Sequence, residues 1–191
     1  MIDGVLDERA WQAATPLGDF IQAEPLEGQA ASEKTEVRIL YDDAYVYVGV
    51  ICYDSEPLQI IVTDSRRDSS LSDADSFQMI LDTYHDRQSG FLFGTNAAGA
   101  QYDAQVRDEG QTQTGGGGAA FGSGGRAQAG SGGGTNVNWD ASWEVRSRVN
   151  DLGWVAEFRI PLRSLRYGPE TERLVNEAIE RDMQRQAANA S

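Results

Sequence analysis

The sequence of 191 residues contains one cysteine, one histidine and one lysine, Lys34. A single thiol excludes a disulfide within the chain, and one cysteine with one histidine cannot build a Cys/His zinc cluster. No apolar run approaches the roughly 18 residues that a membrane-spanning helix requires, so none is expected. Cations are scarce, with 16 Lys and Arg against 30 Asp and Glu, for a net charge of −14. Affinity for a phosphate backbone comes from Lys and Arg, so a nucleic-acid partner is not expected.

The cation deficit is local. Residues 1–110 carry 21 acids and 7 bases, whereas residues 111–191 carry 9 of each. An acidic surface repels anionic lipid and attracts cations and basic partners. Glycine is also concentrated, with 11 of the 21 glycines in residues 115–134. Glycine loses the most backbone entropy on ordering, and this stretch has little to bury in return. It predicts a flexible insertion over 111–135, without the strand and helix that flank a phosphate loop.

Elsewhere the apolar period is two. Val37 to Tyr41 alternate before Asp42-Asp43, and Tyr45 to Tyr53 follow, rich in β-branched and aromatic residues. Both faces of the second run are largely apolar, as in a strand covered on both sides, and the two runs suggest an antiparallel hairpin. Further strands are predicted at 76–82, 91–95, 101–106, 142–149 and 153–160, with Asp151-Leu152-Gly153 as the last turn. Only a short helix, over 7–13, precedes them. Short strands without intervening helices predict an all-β fold, an antiparallel β-sandwich over residues 1–168. From Pro169 the pattern changes to helix over a 169–191 tail, with Val175, Ile179 and Met183 on one apolar stripe. That stripe either packs on the sandwich or docks on a partner.

Four motifs lie in order along the chain. Ile2-Asp3-Gly4-Val5-Leu6-Asp7-Glu8-Arg9-Ala10-Trp11 resembles the opening of family-nine carbohydrate-binding modules. Leu40-Tyr41-Asp42-Asp43-Ala44-Tyr45-Val46-Tyr47-Val48 resembles that family's hairpin signature. Asp75-Ser76-Phe77-Gln78-Met79 is similar to its D-S strand, and Gly153-Trp154-Val155-Ala156-Glu157-Phe158-Arg159-Ile160-Pro161 to its closing strand. The resemblance is greatest to the version placed ahead of an outer-membrane-type β-barrel in bacterial envelope proteins. It implies a sandwich that displays a ligand site and performs no chemistry. Sugar-binding members clamp a terminal sugar ring between two tryptophans, whose flat faces suit the C–H faces of a pyranose. One clamp residue lies just before the D-S strand, where this chain has Ser70-Leu71-Ser72-Asp73-Ala74. The other follows the closing strand, where the chain runs into the Pro169 segment. Neither tryptophan carries over.

The remaining candidates are few. Trp139, beside Asp140, suits either stacking on a sugar or partner, or a lid over the sandwich edge. Trp11, Trp143 and Trp154 fit the core. Asp64, Asp68, Asp73 and Asp75 present oxygen ligands at short spacing, suited to Ca²⁺. Arg66 and Arg67 lie among them as competing counter-ions, which favours a salt-bridged loop and no cofactor. His85 fits a hairpin turn and Cys52 a buried strand position, neither with a nucleophile–base partner. The expectation is a non-catalytic accessory or structural subunit of an envelope or membrane-associated assembly, acting through a protein partner. The alternative is a carbohydrate-binding module recognising sugar ends, with its site relocated to Trp139, Tyr45 and Tyr47. Met1 abuts the first motif, so no leader peptide is expected in this sequence, yet relatives are exported. A periplasmic or extracellular location is expected.

Overall fold

The computed structural model describes residues 2–62, 64–107 and 134–166. Most of the Gly-rich insertion and the whole 169–191 tail, with Val175, Ile179 and Met183, lie outside the described residues. The elements are α1 (Arg9–Ala13), β1 (Thr35–Tyr41), β2 (Tyr45–Tyr53), β3 (Ser76–Leu81), β4 (Ser89–Asn96), β5 (Tyr102–Arg107), β6 (Thr135–Asn136), β7 (Glu144–Asn150) and β8 (Gly153–Pro161). They form two four-stranded sheets, ordered β1-β2-β8-β7 and β3-β4-β5-β6. Every pairing is antiparallel. The fold is the expected all-β sandwich.

The strands read from period two are all present, with ends shifted by one or two residues. The exception is β6, a strand the sequence does not announce. Its two residues, at the end of the Gly-rich stretch, are extended because they pair with Gln105 and Val106 of β5. Between β1 and β2 lie Asp42 to Ala44. Oδ1 of Asp42 accepts the backbone N–H of Ala44 at 2.8 Å and of Tyr45 at 2.7 Å. The aspartate side chain thus builds the turn that glycine builds elsewhere.

The core lies between the sheets. Val48 and Val50 of β2, Ala156, Phe158 and Ile160 of β8, and Phe91 and Phe93 of β4 are all buried there. Trp143 bridges the layers, stacked on Phe158 with centroids 5.7 Å apart and edge-on to Phe93 at 5.2 Å. Such pairs each contribute about 0.5–1.5 kcal/mol beyond the area they bury.

Both outer faces are also covered in part, each through a glycine. On β2 a Cβ at Gly49 would lie 2.8 Å from Leu6 Cδ1 and 3.2 Å from Trp11 Cζ3, so the N-terminal segment packs where only glycine fits. Glu157 of β8 fastens that segment. Its Oε2 accepts the N–H of Asp3 at 2.8 Å and of Gly4 at 3.1 Å, and its Oε1 accepts Trp11 Nε1–H at 3.3 Å. On β4 a Cβ at Gly94 would lie 2.8 Å from Leu71 Cδ1, and Leu71 packs there in a second cluster with Leu92, Tyr102, Ala104 and Val106.

Candidate functional site

β3 opens at Ser76, and Leu71 in the preceding loop is 1% exposed, seated over Gly94 and Leu92. A branched aliphatic chain closes this patch by packing into it. It offers no flat aromatic wall to a ligand.

A polar hub stands between the 66–68 loop, β5 and the approach to β7. Asp103 of β5 points between the sheets, with its side chain fully buried. Its Oδ1 accepts Trp143 Nε1–H at 3.0 Å and Arg67 Nη2–H at 2.6 Å, while Oδ2 accepts the N–H of Ala141 at 2.7 Å. Burial pushes this carboxyl above the ordinary carboxylate range, and the donors from Trp143 and Ala141 and the charge of Arg67 offset only part of that. The same guanidinium pairs with Asp140 and donates to the carbonyl of Ala141 at 3.0 Å. Asp68 lies 3.7 Å from Arg67 Nε. Asp68 and Asp140, named separately from the sequence, therefore meet around one cation. Arg67 is a counter-ion here, as its place among the aspartates suggests, whereas Asp103 carries no sequence signal beyond a polar position within β5.

Trp139 caps this end of the core. Its ring lies 4.6 Å from that of Phe91 and 6.0 Å, edge-on, from that of Phe93. It is half-buried against the main cluster, in the position of a lid. Asp140, next to it, is 78% exposed at its side chain.

Tyr45 and Tyr47 lie elsewhere. Val46 and Val48 turn to the core, so the two tyrosines stand on the outer face of the first sheet. Their rings are tilted at 6.0 Å, and the Arg159 guanidinium sits 3.8 Å from the Tyr45 ring centroid. Tyr47 donates its hydroxyl to Asp42 Oδ2 at 2.9 Å. Burial, and then that carboxylate, raise the Tyr47 hydroxyl above its usual value. The first sheet separates this shelf from Trp139, so the structure does not bring Trp139 and the two tyrosines to one surface.

The four aspartates are likewise spread. Asp64 takes Arg66 in a close pair, Nη2 to Oδ2 at 2.6 Å, and the guanidinium holds its carboxyl well below the usual range. Asp75 accepts the N–H of Ile61 at 2.6 Å, and Asp73 is exposed. Among the described residues no three His, Cys, Asp or Glu converge at metal-binding distance. His85 occupies the β3–β4 connection with φ 54°, as its turn reading expects. Cys52 packs against the main core, where burial pushes its thiol up to about 12.

Among the described residues no helix is long and apolar enough to cross a membrane. No curated protein matches the chain. A family model described as carbohydrate family 9 binding domain-like matches residues 2–186, in agreement with the sandwich and the four motifs. This chain belongs to the carbohydrate family 9 binding domain-like family.

Proposed function

We propose that the chain is a non-catalytic binding module, serving through its surface as an accessory or structural subunit of a larger envelope or membrane-associated assembly. Its place is the periplasm or the cell exterior. The observation that carries this reading is Leu71. The loop before β3, the neighbourhood in which the family resemblance implies a clamp tryptophan, has no aromatic residue over 70–74, and its Leu71 is packed to 1% exposure. The most enclosed carboxylates among the described residues, Asp103 and Glu157, are bonded to backbone amides and indoles, so they hold loops in place. A protein partner then meets the module on its remaining surface. Co-purification from the native source tests this. A stable complex is expected, and a chain that stays monomeric and partner-free while binding oligosaccharide tightly overturns it.

Family membership and the tyrosine shelf favour a second reading, recognition of sugar ends. Tyr45 offers a ring face and Asp42 with Arg159 offers hydrogen-bonding groups, the combination a pyranose requires. Calorimetry with mono- and oligosaccharides at millimolar concentration decides it. Heat abolished by Tyr45→Ala places the sugar on the shelf, and heat abolished by Trp139→Ala places it at the lid. A titration without heat removes this reading.

A further inference from the structure

Successive residues of an antiparallel strand point their backbone groups alternately towards and away from the partner strand. In β1 the even positions face β2. The carbonyl of Lys34 accepts Tyr53 N–H at 2.9 Å, and Asp42 N–H donates to the carbonyl of Tyr45 at 2.9 Å. The odd positions face out from the edge of the first sheet. At Val37 that outer side is occupied, because Leu17 donates to its carbonyl at 2.7 Å and accepts its N–H at 2.9 Å. Ile39 and Tyr41 turn the same groups outward, and no described residue bonds them. Their side chains are 48% and 45% exposed. Natural edges are blunted with lysine, proline, a bulge or a covering loop, and among the described residues Ile39-Leu40-Tyr41 has none of these.

We infer that the free edge at Ile39 and Tyr41 is a docking site for an extended segment of a partner protein, which adds a strand to the first sheet and carries Lys or Arg beside apolar residues. The inference rests on the partner-binding role proposed above. Charge selects the occupant. Residues 16–43 contain seven acids and two bases, Lys34 and Arg38. Both bases are paired with Glu36. Asp42 and Asp43 stand exposed at the end of the free edge, and Asp19 and Glu24 are exposed in the excursion that leads to it. A second copy of a chain of charge −14 brings the same acidic edge and is repelled. A basic segment gains from that field, while main-chain bonds to Ile39 and Tyr41 supply affinity in any sequence.

The test uses the full chain against a displayed library of short random peptides. Selected peptides are expected to alternate apolar and polar residues, to carry Lys or Arg, and to bind more weakly as salt rises. Ile39→Pro deletes an outward N–H and no bond of the β1–β2 ladder, a change that edge strands accept. It is expected to leave the far-ultraviolet spectrum intact and to weaken binding about tenfold or more. Hydrogen exchange of the unaltered protein gives a readout that does not depend on the variant. The amides of Ile39 and Tyr41 are expected to exchange quickly in the free chain and to slow about tenfold or more with peptide bound. Protection confined to other amides, a library without binders, or equal binding by a folded Ile39→Pro variant overturns the site. Dimerisation of the chain that Ile39→Pro abolishes overturns the basic partner in favour of a second copy. A native partner retained by Ile39→Pro removes this edge and leaves the accessory role standing, whereas absence of any native partner removes that role itself.

Discussion

The indole N–H of Trp143 donates to Oδ1 of Asp103 across 3.0 Å, inside the layer between the sheets. The same device recurs on the outer face of the first sheet, where Trp11 donates to Glu157 at 3.3 Å. In each case one buried carboxylate accepts an indole and at least one backbone amide, and so ties an irregular segment to a strand. An unpaired buried donor costs about 1–3 kcal/mol, so each carboxylate holds more than its own position.

Asp103→Ala leaves the Trp143 indole and the Ala141 amide without their acceptor and removes one of the acceptors of Arg67. A loss of about 3 kcal/mol is expected, and with it a melting temperature lower by about 6–12 °C for a chain of this size. Urea denaturation measures it. A loss below about 1 kcal/mol shows that Asp140 and water replace the hub.

Glu157→Gln offers one acceptor oxygen where the native side chain uses two. Either the indole of Trp11 or the amides of Asp3 and Gly4 must then face an amide NH₂. The N-terminal segment is expected to loosen, with faster tryptic cleavage after Arg9 and red-shifted tryptophan emission, at about 1–3 kcal/mol of stability. Cleavage at the unaltered rate contradicts this account of the segment.

Glu36 sets an acid limit. The Arg38 guanidinium, at 2.5 Å, and then Lys34, at 3.1 Å, hold its carboxyl below its ordinary 4.5 despite the opposing effect of burial. A depressed folded pKa contributes stability that is present above the unfolded value and is lost as pH falls through the folded one. Melting curves of the native chain are therefore expected to drop as pH falls below about 4.5, and Glu36→Gln is expected to drop less over that window. Parallel curves for the two proteins refute this assignment.

Cys52 is expected to be inert until the fold opens. With its thiol pushed up to about 12, about one molecule in ten thousand is ionised at pH 8, and the thiolate is the reactive species. Ellman's reagent is expected to react slowly with the native chain and at once in guanidinium. Equal rates in the two conditions contradict burial at this position.

The alternation in Tyr45 to Tyr53 reported a strand with two covered faces, because side chains in a strand turn to opposite sides in strict succession. Apart from β6, the strand positions and the tryptophans of the core were legible for the same local reason. The sequence left two readings of Trp139 open, a stacking surface and a lid; the contacts that seat it, the tilted ring of Phe91 and the edge-on ring of Phe93, come from a strand more than forty positions away and were not legible. The Asp103 hub was not legible. Arg67 lies 36 positions from Asp103 and 73 from Asp140, and no local period links residues so far apart. Such pairs exist only after the sheets have closed, because the energy of an enclosed ion pair depends on the exclusion of water around it. The sequence by itself determined every described strand but β6, the two-layer class and the acidic balance, all of which follow from side-chain polarity and backbone preference along the chain. The tertiary structure decided which glycines admit Leu6 and Leu71, which carboxylates are consumed in holding loops, and which edge keeps backbone groups that no described residue bonds, since each is a relation between segments that meet only in the folded chain.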